Sequence, residues 1–158
     1  MKTYTSNNIR NIAVVGHGGK GKTTLCEAML YVAGATDRLG KVAEGNTVLD
    51  FDAEERRRKS SVSSAMAAIE WDNTKLNIID APGLFDFEGG VAEAVRAAEA
   101  VLIVTSAGSG VDVGTEKAFN AAEKKGIAKF FAITKTDSDH RNFYETFEAL
   151  KEVYGNKL

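Results

Sequence analysis

One cysteine, one proline and one tryptophan stand among the 158 residues, and no apolar run approaches the length of a membrane span. A lone Cys26 excludes an internal disulfide framework. It falls among the apolar positions of a helical pattern and reads as a small core residue. The eight N-terminal residues lack the apolar centre of a secretory leader. A net charge of −2 leaves no global basic field to hold nucleic acid. Repeats and low-complexity tracts are also missing. What remains is 44% apolar and 27% charged, an ordinary globular composition at a length that suits one domain over residues 1–158. Together these absences predict a cytoplasmic location and no membrane partner.

Strand and helix patterns alternate almost to the end. Strands are expected at 11–16, 62–71, 74–80, 100–104 and 128–133, with helices at 22–34, 89–98, 113–125 and 141–154. Asp72-Asn73 marks a hairpin between the second and third strands. The last helix carries Phe143, Phe147, Leu150 and Tyr154 on one stripe. The stretch 35–60 is polar and glycine-punctuated, with no element assigned. Its charge run, Glu54 to Lys59, reads as a solvated segment rather than a binding patch. The order predicts an α/β protein: a mainly parallel sheet with one antiparallel strand and helices on both faces.

Residues 16 to 24, Gly-His-Gly-Gly-Lys-Gly-Lys-Thr-Thr, contain a complete G-x-x-x-x-G-K-[ST] phosphate loop. An apolar strand precedes it and a helix follows, which is the setting the chemistry requires. Gly18, Gly19 and Gly21, with His17, Lys20 and Thr24, can turn backbone N–H groups onto a pyrophosphate at a helix N-terminus. Lys22 is expected to bridge the outer phosphates and Thr23 to hold Mg2+ through its hydroxyl. At the end of the strand 74–80 stands Asp80-Ala81-Pro82-Gly83. Asp80 can hold the same cation through water, and Gly83 can offer a backbone N–H to the terminal phosphate. Lys22 and Gly83 are therefore the candidate catalytic contacts. Pro82 restricts Ala81 where the loop departs.

Thr134-Lys135-Thr136-Asp137 follows the strand 128–133. Asp137 can accept hydrogen bonds from guanine N1–H and the exocyclic amine, donors that adenine lacks at those positions. The Lys135 stem can cover the purine face. The three motifs in this order resemble a GTPase domain. With Asn77-Ile78-Ile79-Asp80, Asp86-Phe87 and Gly114-Thr115-Glu116-Lys117-Ala118, the chain is similar to the elongation factor G-like translational GTPases over nearly its whole length. That resemblance implies a three-layer, Ras-like G domain, GTP and GDP as ligands, Mg2+ as cofactor, and a ribosome-dependent switch in translation. It also implies an N-terminal piece of a longer protein whose sheet gains a further strand and helix beyond Leu158. Without them the strand 128–133 would be an apolar edge prone to self-association. Arg58-Lys59-Ser60-Ser61-Val62 matches the family's Arg-Gly-Ile-Thr-Ile, so Ser61 stands where a threonine ligates Mg2+.

Three positions depart from the family. Leu84 replaces a histidine that positions the attacking water, Thr134 replaces an asparagine that ties the base to the phosphate loop, so that weaker affinity with retained specificity is expected, and Gly19 replaces an aspartate. Leu84 keeps open a guanine-nucleotide binding module with impaired hydrolysis, and a ribosomal protection factor would share the same domain. A partition-type ATPase reads Lys-Gly-Gly-x-Gly-Lys in its phosphate loop. Here His17 takes the place of its leading lysine, and such an enzyme has no use for Asp137.

Overall fold

The computed structural model describes residues 2–84, 86, 88–137 and 142–155. Phe87 and the expected helix start at 141 lie outside them. In chain order the elements are β1 (Ile9–Val15), α1 (Lys22–Val32), α2 (Ala53–Arg58), β2 (Ala65–Trp71), β3 (Thr74–Asp80), α3 (Glu88–Ala97), β4 (Ala100–Ser106), α4 (Val113–Lys125), β5 (Ala128–Thr134) and α5 (Phe143–Tyr154). The strands form one sheet in the order β2-β3-β1-β4-β5. Among the described residues only the β2–β3 pairing is antiparallel. β1 runs parallel to β3, with Ile12 opposite Ile78, and parallel to β4, with Ile12 opposite Ala100.

The period-two geometry of a strand sends alternate β1 residues to opposite faces. Ala13 and Val15 join a core with α3, α4 and α5, while Val14 joins one with Cys26 and Leu30 of α1. All three β1 residues are fully buried. Each large aliphatic side chain removed from water in this way contributes about 1.5–3 kcal/mol. On the first face Phe119 stacks on Tyr154, ring centroids 4.1 Å apart, which docks α5 against α4. Among the described residues no helix is long and apolar enough to cross a membrane.

The expected hairpin is present, and Asp72 and Asn73 both take positive φ, 45° and 59°, as a two-residue type I′ turn requires. The helix α1 ends two residues before position 34. Gly34 turns left-handed there, and the Ala35 N–H bonds back to Leu30 O at 2.9 Å. The strand β2 begins at Ala65 rather than 62, because the N–H groups of Val62 and Ser63 are taken by the Glu55 carboxylate at 2.9 and 3.1 Å.

The polar stretch is more ordered than its composition suggests. Asp52 caps α2 by accepting the Glu54 N–H at 2.7 Å, and Glu55 reaches back to the Asp52 N–H at 3.2 Å, a capping box. The charge run is therefore a helix with one buried acid, not a uniformly solvated segment. Glu27 on α1 does similar work from the other side. Its fully buried carboxylate accepts the N–H groups of Val48 and Leu49 at 2.7 and 3.0 Å. Hydrogen bonds to a charged group each contribute about 1.5–3 kcal/mol. Glu27→Ala is accordingly expected to lower unfolding stability by about 3 kcal/mol and to speed tryptic cleavage at Arg38 and Lys41. Glu27→Gln, which keeps an acceptor oxygen, should lose less. Urea unfolding that does not distinguish Glu27→Ala from the native chain would refute the clasp.

Candidate nucleotide-binding site

The loop after β1 turns at Gly16, where φ is 132° and an added Cβ would run into the Val104 carbonyl oxygen. This close approach lets the chain double back before α1. Lys22, at the first position of α1, is 6% exposed, and its ammonium donates to the carbonyls of Gly16 and His17, both at 3.0 Å. Burial pushes the ammonium below its ordinary value, and the charge of Asp80 pulls it partly back. The loop thus wraps a cation whose carboxylate neighbour is held by another group.

That group is Thr23, whose hydroxyl donates to Asp80 Oδ2 at 2.6 Å. Thr23 Oγ1 also lies 3.0 Å from Ser61 Oγ, and Ser61 donates to Asp50 Oδ1 at 2.7 Å. Thr23, Asp80, Ser61 and Asp50 therefore form one connected cluster drawn from α1, β3 and the stretch before β2. Asp80 Oδ1 is buried with no hydrogen-bond partner among the described residues, and burial raises this carboxyl to about 7 despite the Thr23 bond and the charge of Lys22. Burial also raises Asp50, against the bond from Ser61. Two carboxylates and two hydroxyls make an all-oxygen donor set suited to a hard divalent cation.

Sequence reasoning found Thr23, Ser61 and Asp80 but missed Asp50. It belongs to no motif. Its one signal is an acid between Leu49 and Phe51, and Asp50 is in fact only 3% exposed.

A cavity of about 200 Å³ opens above this cluster, lined by residues of the phosphate loop together with Asp50, Lys59, Ser60, Ser61, Gly83 and Lys135. Gly83 closes tightly on the loop: an added Cβ would fall on the Lys22 ammonium and 2.7 Å from Gly18 N. Gly19 has φ 73° and open space where a Cβ would stand, so the absence of an aspartate there leaves room beside the cavity. His17 and Lys20 do not line it. The Lys20 ammonium turns away to Ser109 Oγ at 2.8 Å and Asp112 at 3.2 Å.

The loop after β5 meets the phosphate loop directly. Thr134 Oγ1 lies 2.6 Å from Lys20 O and 3.1 Å from Thr105 O, so its single hydrogen serves the nearer carbonyl. The hydroxyl thus ties the loop after β5 to the phosphate loop with one donor. Lys135 donates to Gly19 O at 2.6 Å, and Asp137 is exposed beyond it. Leu84 is 39% exposed and lines a separate apolar cavity of about 320 Å³ with Pro82, Val91 and Ala121.

These features define a phosphate-loop domain with a cluster of oxygen donors and the Thr134–Asp137 loop at one end of a mostly parallel sheet. The chain belongs to the elongation factor Tu GTP binding domain family, which matches residues 7–158. It is 39% identical over 150 residues to an elongation factor G-like protein of Mycobacterium tuberculosis, covering 95% of this chain and 21% of that protein. It is 38% identical over 153 residues to the mitochondrial ribosome-releasing factor 2 of Debaryomyces hansenii, covering 97% and 17%. A crystal structure of a protein from Thermus thermophilus superposes with a TM-score of 0.89 at 40% identity, covering 93% of this chain and 22% of that one. The chain therefore spans about a fifth of the length of these relatives.

A buried carboxyl held near neutrality destabilises the nucleotide-free fold. Asp80 is raised from an unfolded value of 3.8 to about 7, so stability is greatest when it is protonated and is lost as pH rises through that range. Without metal or nucleotide, Asp80→Asn should therefore raise the thermal midpoint at about pH 8 by a few degrees and leave it nearly unchanged at about pH 4. Calorimetry showing a lower midpoint for Asp80→Asn at the alkaline end would contradict this electrostatic account.

Proposed function

We propose that the chain binds GTP and GDP with Mg2+, hydrolyses GTP, and serves as the nucleotide switch of a longer cytoplasmic translation factor that acts on the ribosome. The observation that carries this reading is the contact of Thr23 with Asp80 at 2.6 Å, beside a buried Lys22 and an Asp80 oxygen with no partner among the described residues. Thr23, Ser61 and Asp80 would hold the cation, with Asp50 behind Ser61. Bound there, Mg2+ supplies charge neutralisation on the phosphates. The N–H groups of residues 18–24 cradle the phosphates, Lys22 meets the outer ones, and Gly83 offers its N–H to the terminal one. Asp137 selects guanine and Lys135 covers the purine face. For the 158-residue chain by itself we also propose self-association along β5: among the described strands β5 pairs only with β4, and Phe130 is 59% exposed on it.

Leu84 favours a second reading, a switch that exchanges nucleotides but hydrolyses slowly. A leucine has no group to orient a water, so the chain on its own should turn over no faster than about 10⁻⁴ per second, and Leu84→His should be faster. Rapid single-turnover hydrolysis by the native chain would remove this second reading.

The primary test is competition of GTP, GDP and ATP against a fluorescent guanine nucleotide on the Mg2+-loaded chain. GTP and GDP should displace the probe and ATP should not, with Asp137→Asn losing that preference. Equal displacement by ATP would refute the guanine assignment.

A further inference from the structure

Lys59 stands in the wall of the nucleotide cavity, yet no motif uses it. It is the C-cap of α2, with φ 53° and ψ 40°, a left-handed conformation uncommon for a lysine. The family's pattern has glycine at this position, which would adopt that backbone freely. The backbone is fixed here by two bonds to Glu55 O, from the Lys59 N–H and from Ser60 N at 3.2 Å. Glu55 is itself buried and clamps Val62 and Ser63. Lys59 is thus held beside Ser60 and Ser61 at the mouth of the site.

Its charge is also unspent. Around the phosphate loop, Lys22 bonds to Gly16 O and His17 O, Lys20 to Ser109 and Asp112, and Lys135 to Gly19 O. In its own charge run, Arg57 and Arg58 pair with Glu54, and Arg56 donates to Asp50 O. Among the described residues, no hydrogen bond or ion pair engages the Lys59 ammonium. The site meanwhile holds two buried carboxylates, Asp50 and Asp80, against one buried ammonium, Lys22. A polyphosphate brings further negative charge to the same place, and an uncommitted cation at the rim offsets it.

We propose that Lys59 is a phosphate-contact residue whose ammonium reaches the terminal phosphate of a bound nucleoside triphosphate and favours it over the diphosphate. The proposal rests on the guanine-nucleotide reading above and assigns a new residue to that site. Such a cation acts from the rim of the cavity, in the same chain, where charge rather than water positioning is supplied. An ammonium–phosphate contact at a solvent-exposed rim weakens as salt rises.

The test compares the native chain with Lys59→Asn and Lys59→Arg. Asparagine removes the charge but tolerates left-handed backbone, so the fold should survive, and urea unfolding checks that it does. Competition binding with Mg2+ would use a non-hydrolysable GTP analogue and GDP at low and high salt. Lys59→Asn should weaken the triphosphate by about tenfold and GDP by less than about twofold, with the difference shrinking at high salt. Lys59→Arg should stay near the native values. Equal weakening of both nucleotides, or none, would overturn the proposal while leaving the nucleotide site intact. Failure of the native chain to bind either nucleotide would overturn both readings together.

Discussion

A lysine ammonium buried among carbonyl oxygens is the constraint on which this molecule turns. Lys22 sits under the loop that follows β1, bonded to Gly16 O and His17 O, and the neighbouring carboxylate of Asp80 is committed to Thr23. The two carbonyls hold the ammonium in the wall of the cavity that the phosphate loop encloses. The placement of the other motifs follows from sheet register. Val14 pairs with Asp80 in the β1–β3 ladder, which brings the end of β3 alongside the loop. Ser106 pairs with Thr134 in the β4–β5 ladder, which brings the loop after β5 to the same end. Parallel strands deliver all three motifs to their carboxyl ends, the usual ligand edge of an open α/β sheet.

The ordering of the polar stretch is the second structural theme. Two buried acids, Glu27 and Glu55, gather backbone N–H groups from Val48, Leu49, Asp52, Val62 and Ser63. They set Asp50 and Ser61 over Thr23 without a single regular strand in between. A loop held by carboxylates at a few points, with little apolar burial of its own, can be rearranged at modest cost. That construction suits the response to a terminal phosphate proposed for this segment.

Most of the fold was legible because its signals are local. Alternating apolar runs marked the strands, Asp72-Asn73 the hairpin, and the glycine spacing the phosphate loop. The polar stretch was not legible, because its order comes from contacts distant in sequence: nothing near Glu27 indicates that it binds Val48. The Asp52-x-x-Glu55 capping box was visible in principle, but its charged neighbours masked it as a solvated run. Of the oxygen cluster, Thr23 and Asp80 carry motif signals and Ser61 came from its match to the family's pattern. Asp50 has neither, since its role exists only once the chain has folded back over α1. The departures also divide in physical terms. Thr134 ties the two loops together with one hydroxyl, whereas Leu84 replaces a polar function with an apolar side chain facing a different cavity.

In this scheme one site reads the terminal phosphate through two separate segments, the polar stretch before β2 and the loop after β3. Amide hydrogen exchange with Mg2+ and either GDP or a non-hydrolysable GTP analogue tests that most directly. Residues 16–24 should be protected by both nucleotides, and residues 47–63 and 80–84 should gain protection only with the triphosphate. Identical protection of those two segments by both ligands, or no protection of the phosphate loop by either, would contradict it.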